Sequence, residues 1–528
     1  MNKNWHLSLK EQIAQTIVVR ASGHLFDSQI RYPAWEASHT QLKSWLEEFN
    51  LGGVILLGGS SIELQARSQQ LQSWAKTPLF IAADIEEGIG QRFSGGTWFP
   101  PPMALGAIYD RNPELALQYA RNFGSITAEE ALAIGINWLL APVVDVNNNP
   151  DNPVINIRAF SDRPEVVAAL ASAFIEGAKT AAVLTTAKHF PGHGDTATDS
   201  HLDLPAIVHS DSRLAAIELP PFERAIAAGV DSIMTAHLLI RAWDDRPATL
   251  SPKIVTEKLR KQLGFTGLVV TDALIMGGIT KYASPEEVAV MAIEAGSDIL
   301  LMPDDPEVAI ASIYDAVRSG RISQQRIQQS VERIWRAKQG LITTSTSTAE
   351  LSTRKAQLTV DSILQDSLQT SAVYLRVNSS RECRNLIVVD DVLNTTFLDI
   401  NSPAITIPKR FNYQRQIVDR DTLDCILLDS RPTLLQAFIR GNPFRGNAGL
   451  TVNAKGIYQR LLSTKQIEGI IVYGSPYVLQ WFKSIVKPDL PWAFSYGQMP
   501  AAQAIALEAL FAKDSDVLGS KYPDDFGF

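Results

Sequence analysis

The chain has 528 residues, of which 45% are hydrophobic, and it carries a formal net charge of -8. This length exceeds one typical hydrophobic core and predicts at least two domains, while the acidic balance disfavours nucleic acid and anionic membranes as partners. The two cysteines, Cys383 and Cys425, are too few for a disulfide framework or a thiolate zinc site. A small neutral substrate fits this composition best.

The first ten residues are polar and are not followed by an apolar stretch of signal-peptide length. No run approaches the roughly 20 apolar residues that a membrane helix needs. We therefore expect a cytoplasmic protein without a membrane partner. The composition leaves the oligomeric state open.

The first 341 residues alternate short apolar runs with longer helical patterns. The runs are nearly continuous, which is typical of strands that a parallel sheet buries on both faces. Eight such strand and helix units predict a (β/α)8 TIM-type barrel over residues 1–341. The predicted strands are Ile13–Val19, Gly53–Leu57, Leu79–Asp84, Trp138–Val146, Ala182–His189, Asp231–His237, Gly267–Ala273 and Ser297–Pro303, and the best marked helices are Lys253–Leu263, Val288–Ala295 and Glu307–Arg318.

Titratable residues stand at the ends of five predicted strands, where a barrel of this type carries its active face. A single polar residue there is most simply a helix cap or a satisfied buried group. Five of them favour a catalytic face over capping. These residues are Asp84, Asp145, Lys188 with His189, His237 and Asp272.

The rest of the chain predicts a linker over residues 342–356, which is rich in serine and threonine, and a smaller layered α/β sandwich domain over residues 357–528. This second domain contains no histidine, because the last one in the chain is His237. Catalysis by histidine therefore belongs to the first domain. The predicted strands of the second domain are Leu386–Val389, Cys425–Leu428, Gly469–Tyr473 and Trp492–Tyr496, and its closing helix is Ala501–Phe511.

Three of the eight histidines and three aspartates fall within Ala187–Pro205, with a glycine on each side of His193. One hypothesis is a retaining glycosidase, which needs a carboxylate nucleophile and a proton donor on opposite sides of the glycosidic bond. Asp272 is held rigidly at a strand end, and His201 could donate the proton with its ring oriented by Asp199. The alternative for Asp272 is the N-cap of the next helix.

Two further hypotheses stay open at this point. The histidines and aspartates of Ala187–Pro205 could ligate a metal, as in an amidohydrolase-type barrel enzyme, but they lie in one loop rather than on several strands. A sugar-binding protein without catalysis could use Trp98, Phe99 or Trp138 as stacking surfaces, although buried aromatic residues are usually core.

The motifs resemble bacterial β-N-acetylhexosaminidases of glycoside hydrolase family 3. The residues that carry the resemblance span most of residues 12–340 in the family's order. They are the early element Asp84–Gly88 with Gln91–Phe93, the central stretch Ala141–Asn147 with Arg158–Phe160, the run Lys188–Asp195 followed by Asp199–His201, and Thr271–Met276. The early element departs from the family pattern at Ile85 and Glu87. A second departure is Asn156-Ile157, which precedes Arg158.

The resemblance implies a role for each matched residue. Asp272 would be the nucleophile, and Asp199 with His201 would be the acid/base dyad on a loop. Five residues would bind the terminal sugar: Asp84, Arg92, Arg158, Lys188 and His189. No role follows for His193.

We therefore expect an exo-acting β-N-acetylglucosaminidase that cleaves terminal β-linked GlcNAc from muropeptide-derived or related saccharides through a covalent glycosyl-enzyme. The alternatives are a β-glucosidase or a GlcNAc phosphorylase of the same family, and a metal-dependent amidohydrolase-type enzyme is less favoured. The β-glucosidase branch usually takes its acid/base carboxylate from the second domain, whereas the dyad here lies in the barrel. We expect no metal, no cofactor, and a small carbohydrate as the partner.

Overall fold

The structure, a computed structural model, describes residues 7–200, 202–341, 350–376, 381–393, 395–426, 430–440, 448–464 and 466–511. The chain divides into two units, one of residues 1–363 with 441–448 and the other of residues 364–440 with 449–528. The domain boundaries drawn from the sequence stay a prediction, and residues 342–349 of the predicted linker 342–356 lie outside the described residues.

The first unit is built on parallel strands whose sequences are almost wholly buried. Its eight barrel strands within the described residues are β1 (Ile17–Ser22), β2 (Gly53–Leu57), β3 (Phe80–Ala83), β4 (Trp138–Leu139), β5 (Thr186–Phe190), β6 (Ser232–Thr235), β7 (Leu268–Thr271) and β8 (Leu300–Leu301). A further short parallel pair, Ala206–Ile207 with Leu239–Ile240, lies outside this set.

These strands close into a ring. One sheet has the order β8-β1-β2-β3-β4 and a second has the order β5-β6-β7. Parallel bridges join the two sheets at both seams, through Trp138 with Leu184 between β4 and β5 and through Val270 with Ile299 between β7 and β8. The predicted (β/α)8 barrel is confirmed.

The first strand begins later than predicted. Residues Leu9–Ala14 form a helix, because Ser8 and Glu11 make a reciprocal capping box in which each side chain accepts a backbone N–H of the other residue. The strand follows at Ile17. The predicted strand Ile13–Val19 was wrong because one apolar run continues from the buried end of this helix into the strand.

Helices surround the barrel, and the three best marked ones are confirmed at Lys253–Gln262, Pro285–Ala295 and Pro306–Arg318. In the described residues, no helix combines the length and the apolar character that crossing a membrane requires. The other helices of the first unit are His39–Ser44 continuing into Trp45–Phe49, Ser61–Trp74, Met103–Tyr109, Pro113–Ala133, Pro164–Ala178, Asp211–Ile217, Leu219–Ala227, Gly277–Thr280 and Gln324–Leu341, with 3-10 turns at Asp27–Gln29, Ile89–Gln91, Asn156–Arg158 and Ala248–Leu250. The division between the units falls within the helix Arg354–Ser367.

The barrel interior is a packed core. Buried side chains from all the barrel strands except β5 meet there, among them Val18, Phe80, Trp138 and Val270. The Trp138 indole N–H is satisfied by the hydroxyls of Thr186 and Ser232 at 2.9 and 3.0 Å. This packing fixes the strands, and so it fixes the side chains at their carboxyl ends.

The second unit contains a six-stranded sheet within the described residues, numbered β9 (Gln369–Thr370), β10 (Cys383–Val388), β11 (Tyr413–Val418), β12 (Thr433–Ile439), β13 (Ile467–Gly474) and β14 (Trp492–Ser495). Its order is β9-β14-β13-β12-β10-β11, and only β9 is antiparallel to its neighbour. The helices of this unit are Pro403–Lys409, Val452–Ser463, Pro476–Ile485 and Pro500–Phe511. The predicted layered α/β class is confirmed.

One predicted strand of this unit, Cys425–Leu428, is wrong at its start. Leu423–Cys425 is a 3-10 turn in which the Cys425 N–H donates to the Thr422 carbonyl at 2.9 Å, and residues 427 and 428 lie outside the described residues. The sheet also contains β12, a wholly buried strand that the sequence analysis missed.

Candidate active site

The candidate residues meet at one face of the barrel. Asp84 directly follows β3, Lys188 and His189 lie in β5, and Asp272 directly follows β7. Because the strands are parallel and form a ring, their carboxyl ends surround a single mouth. Residues that are almost 190 positions apart in sequence therefore face the same space.

Two cations and two carboxylates form a network at this mouth. Lys188 Nζ lies 2.7 Å from Asp84 Oδ1 and 2.6 Å from Glu86 Oε1. Arg158 holds Glu86 with two parallel hydrogen bonds, from Nε to Oε2 at 2.8 Å and from Nη2 to Oε1 at 2.7 Å. Glu86 is thus the shared anchor of both cations, while the Asp84 side chain stays about one third exposed, at 36%.

The pKa shifts follow from this pairing. Burial opposes the charge of Glu86, but Arg158 and Lys188 outweigh it and hold the pKa of this carboxyl well below its ordinary value. Burial also opposes the Lys188 ammonium, yet Asp84 and Glu86 raise its pKa above the ordinary value. Glu86, Lys188 and Arg158 therefore stay charged at neutral pH and present fixed donors and acceptors at the mouth.

A second cluster is organised by the buried Asp145. Its carboxylate accepts hydrogen bonds from His189 Nδ1 at 2.7 Å, from the His189 backbone N–H at 3.2 Å, and from the His193 backbone N–H at 2.7 Å. Burial opposes its charge, but the neighbouring His189 and these hydrogen bonds lower the pKa of Asp145. Since an ionised carboxylate only accepts, His189 must carry its proton on Nδ1.

His193 links this cluster to the next part of the loop. Its Nδ1 lies 2.9 Å from the Thr196 hydroxyl and its Nε2 lies 2.9 Å from the Ser200 hydroxyl. Burial lowers the pKa of His193 to about 4, although Asp145 and, more weakly, Asp272 act in the opposite direction. The ring is therefore neutral at physiological pH and serves as a hydrogen-bonded tie to Ser200.

The loop after β5 is fixed at several points. The Asn152 side-chain amide donates to the backbone carbonyls of His193 and Gly194 at 2.8 and 2.9 Å. A side chain at Gly194 would place its Cβ 1.8 Å from the Val146 carbonyl oxygen, so this position requires glycine. The loop backbone is therefore pressed against the segment that follows β4.

The far part of this loop docks on the segment that follows β7. The Gly278 N–H donates to the Ser200 carbonyl at 3.1 Å, and Lys281 Nζ donates to the Leu202 carbonyl at 2.7 Å. Asp199, which is only 2% exposed, lies next to Ser200. His201 lies outside the described residues. The segment that carries Asp199 is therefore tied to the same strand connection as Asp272.

Asp272 is half-buried and held by its backbone neighbours. Its N–H donates to the Thr235 carbonyl at 3.0 Å, and its Oδ1 accepts the Ala273 N–H at 2.8 Å. His237 Nε2 supports the same turn by donating to the Ala273 carbonyl at 3.0 Å. The alternative role as an N-cap is not seen, because the next helix begins at Gly277 with Met276 as its N-cap.

Of the other predicted residues, one borders the charged network and two lie in the core. Arg92 is exposed, and its Nε donates to the backbone carbonyl of Asp84 at 3.1 Å, so it borders the network. Phe99 and Trp138 are fully buried and belong to the core rather than to a stacking surface.

Sequence reasoning gave no role to Glu86 or His193, although both stand in the quoted motifs. The signal for Glu86 was its position two residues after Asp84 beyond a buried strand. Asp145 was noted only as a strand end.

The metal hypothesis finds no support in the described geometry. Among the residues that the structure describes, no three histidine, cysteine, aspartate or glutamate side chains are arranged to hold a metal ion. The ring nitrogens of His193 bond to hydroxyls, and His189 Nδ1 bonds to Asp145. These histidines therefore organise the loop.

Comparison with known families agrees with this geometry. Residues 8–337 match the sequence profile of the glycosyl hydrolase family 3 N terminal domain. The chain belongs to this family. Residues 376–512 match the bacterial glycosyl hydrolase family 3 C-terminal domain, so both units have counterparts among its members. The protein is a glycoside hydrolase, as the sequence motifs indicated.

Individual relatives point to one branch of the family. A beta-hexosaminidase from Alkalilimnicola ehrlichii is 37% identical over 281 residues, which cover 52% of this chain and 80% of the relative. Beta-hexosaminidase A from Pseudoalteromonas piscicida is 36% identical over 341 residues, or 58% of this chain, but the match spans only 56% of that protein. The structure of a family 3 beta-N-acetylglucosaminidase from Paenibacillus superposes with a TM-score of 0.80 at 28% identity, covering 96% of this chain and 97% of the other.

The tie through His193 predicts a loss of turnover when the ring nitrogens are removed. We expect His193→Phe to lower kcat at least tenfold on a β-GlcNAc substrate with little change in KM, because the Glu86 network stays intact. His193→Gln, which can still bond to one hydroxyl, should recover part of kcat. The matched control is His209→Phe, which changes a partly exposed histidine. If steady-state kinetics gave His193→Phe the wild-type kcat, the proposed role of the His193 hydrogen bonds would be contradicted.

The same residue predicts a pH dependence of stability. His193 takes up its proton near pH 4 in the folded protein but near pH 6.5 in the unfolded chain. The unfolded state therefore binds more protons between these values, and stability falls as the pH drops from about 6.5 to about 4. We expect the free energy of unfolding, measured with urea, to fall less between pH 7 and pH 5 for His193→Phe than for the wild type.

Proposed function

We propose that the protein is a retaining exo-β-N-acetylglucosaminidase that releases terminal β-linked GlcNAc from muropeptide-derived or related saccharides. The observation that carries the proposal is the docking of the Asp199 loop on the segment after Asp272, at the face that also bears the Glu86 network. A retaining glycosidase requires such a pair of groups on the two sides of one glycosidic bond. The relatives named beta-hexosaminidase support the choice of sugar.

The proposed reaction has two displacements. In the first, a carboxylate oxygen of Asp272 attacks the anomeric carbon, the bond to the leaving oxygen breaks, and His201 gives that oxygen its proton. In the second, His201 takes a proton from water, the water oxygen attacks the anomeric carbon, and the bond to Asp272 breaks. Asp199 would orient the His201 ring and adjust its basicity.

The charged network would bind the hydroxyls of the terminal sugar. Asp84 offers a partly exposed carboxylate to the mouth, and Lys188 and Arg158 are held in fixed positions by Glu86. The His189 ring bonds to Asp145 through Nδ1, so its other nitrogen, Nε2, points away from that carboxylate. Charge-assisted hydrogen bonds from fixed groups position the anomeric carbon over Asp272 at little entropic cost. Arg92 would act at the border of this site.

A histidine as acid/base suits a site that is already rich in carboxylates. A second carboxylate beside Asp272 would repel it, and its own pKa would rise, whereas histidine starts neutral or cationic. This electrostatic argument is part of the proposal. His201→Glu with full activity on a natural substrate would contradict it.

The proposal also places the protein in the cytoplasm. Cys383 and Cys425 are both free thiols, and Cys425 is exposed. A free exposed thiol is typical of a reducing compartment. Cell fractionation followed by an activity assay would test this placement.

Substrate comparison tests the proposed reaction. We expect aryl β-GlcNAc to be cleaved with a kcat/KM at least a hundredfold above that for aryl β-glucoside, and phosphate to leave both the rate and the product unchanged. The readouts are aryl release and product analysis by chromatography. A preference for the glucoside would support a β-glucosidase instead, and GlcNAc-1-phosphate as the product would support a phosphorylase.

Variants of the two proposed groups test the mechanism. We expect Asp272→Ala and His201→Ala each to lower turnover by several orders of magnitude without unfolding the chain. The His201→Ala defect should be smaller on aryl substrates with good leaving groups, which need less proton donation. The matched controls are Asp203→Ala and His209→Ala, two partly or fully exposed positions nearby. Wild-type turnover in either test variant contradicts the assignment.

A further inference from the structure

A cavity of about 250 Å³ lies between the carboxyl ends of β1 and β8. None of the residues assigned above to the sugar or to the reaction lines it. Its wall includes Ile275, three residues after Asp272, and the Leu274 N–H donates to the Leu301 carbonyl at 2.9 Å. The loop that carries Asp272 therefore forms one side of this cavity.

The cavity contains a rigid ion pair. Arg20 binds Glu36 through Nε at 3.1 Å and Nη2 at 2.9 Å, and their side chains are only 13% and 3% exposed. The guanidinium also lies 4.9 Å from the centre of the Tyr32 ring and 5.6 Å from that of Trp35. Cation–π contacts and a two-point ion pair hold these groups in one arrangement before any ligand binds.

Aromatic side chains are exposed at the same place. Trp35 lines the cavity and is 43% exposed, and Tyr32, which is 46% exposed, stacks on it with ring centres 5.8 Å apart. Burying these rings would stabilise the protein, yet they remain open to solvent. Aromatic faces next to paired hydrogen-bonding groups are well suited to a sugar ring, which has apolar C–H faces and polar edges.

The backbone on the floor of the cavity is unusual. Met302, the residue after β8, has a φ of 49°, in the left-handed region that a residue other than glycine rarely adopts. Its N–H is fixed on the Val18 carbonyl at 2.7 Å. Such strain is maintained by surrounding packing and is concentrated at ligand sites.

The cavity lies across the barrel mouth from the proposed sugar contacts. In the ring order, β8 and β1 are opposite β4 and β5, which precede Arg158 and carry Lys188 and His189. Eight strands spaced about 4.8 Å apart enclose a mouth on the order of 15 Å across. A disaccharide that crosses this mouth reaches both sides.

The charges of the cavity restrict the occupant. Four charged residues line it, one positive (Arg20) and three negative (Glu36, Asp304 and Asp305), which leaves a formal charge of -2. Arg20 is paired with Glu36, and Asp305 is already bonded to the Glu307 and Val308 N–H groups at the start of a helix. A ring bearing a carboxylate or phosphate would be repelled there, whereas a neutral ring would not.

We propose that this cavity is a subsite for a second, neutral pyranose ring of the substrate, which stacks on Trp35 and bonds to the Arg20–Glu36 pair. The proposal rests on the proposed function and narrows it. Among the saccharides of the proposed function, the enzyme therefore favours those whose second ring is uncharged, such as chitobiose, over muropeptide-derived ones, whose second ring bears an acidic lactyl or lactyl-peptide substituent.

The test compares substrates that do and do not reach the cavity. We expect Trp35→Ala to lower kcat/KM about tenfold on chitobiose, since one aromatic contact contributes about that much, while its kcat/KM on methyl β-GlcNAc, which has no second ring, stays at the wild-type value. Trp35→Phe should recover most of the loss. The matched control is Phe26→Ala, which removes a ring that is 67% exposed in the same loop but does not line the cavity.

A second comparison tests the charge argument. We expect a GlcNAc disaccharide with a carboxylate on its second ring to have a lower kcat/KM than chitobiose. Asp304→Asn should reduce this difference in kcat/KM. Equal loss of kcat/KM by Trp35→Ala on methyl β-GlcNAc and on chitobiose, or no loss on either, would overturn the subsite.

Failure of the proposed function gives a different result. If the wild type cleaves no β-GlcNAc substrate, the proposed function fails, and calorimetry then tests the cavity directly. Binding of chitobiose to the wild type that is weakened by Trp35→Ala but not by Phe26→Ala supports the subsite. Equal affinity in all three proteins overturns it.

Discussion

The site depends on one buried carboxylate, Glu86, which neutralises two cations at the carboxyl ends of the barrel strands. Arg158 follows β4 and Lys188 lies in β5. Without Glu86, the largely buried Arg158 would lose the carboxylate that holds it, and Lys188 would keep only Asp84 as its carboxylate partner in this network. Removing one partner of such a pair costs about 3–5 kcal/mol. Glu86 therefore fixes the relative positions of the segments after β3 and β4 and of β5 itself. The sugar contacts proposed for Asp84, Lys188 and Arg158 are consequences of that constraint.

The second organising group is Asp145, and it extends the same order into the loop after β5. Its contacts with His189 and with the His193 backbone fix the chain where β5 ends. The His193 ring then bonds to the hydroxyls of Thr196 and Ser200. Ser200 and Leu202 are in turn bonded to Gly278 and Lys281 in the segment after β7. This arrangement couples the segment that carries Asp199 to the strand connection that carries Asp272.

Much of this could be predicted from the sequence. Continuous apolar runs located the barrel strands other than the first, although the fourth, predicted as Trp138–Val146, is only Trp138–Leu139, and titratable residues at the strand ends located Asp84, Lys188 and Asp272. The first strand was misplaced because periodicity does not separate a short buried helix from the strand that follows it. The capping pair of Ser8 and Glu11 was the available signal.

Other parts of the site needed coordinates. Glu86 and His193 stood in the quoted motifs, but the sequence does not show why they matter. Glu86 matters because its partners lie more than 70 positions away, and His193 because both of its ring nitrogens are hydrogen-bonded. The cavity at β1 and β8 has no sequence signature at all, because its residues come from the first loop, the last strand and the Asp272 loop. Of the aromatic rings that the sequence suggested for sugar stacking, Phe99 and Trp138 are core and Trp98 is partly buried, while Trp35 and Tyr32 are exposed.

The central claim is that Asp272 forms a covalent bond to the sugar. Incubation with 5-fluoro-β-GlcNAc bearing a good leaving group slows the release of the glycosyl-enzyme, because the fluorine destabilises the positively charged transition state. Digestion and mass spectrometry should then find one fluoro-GlcNAc on the peptide that contains Asp272, and none in Asp272→Ala. Label on another carboxylate, or inactivation kinetics without any labelled peptide, would contradict the account.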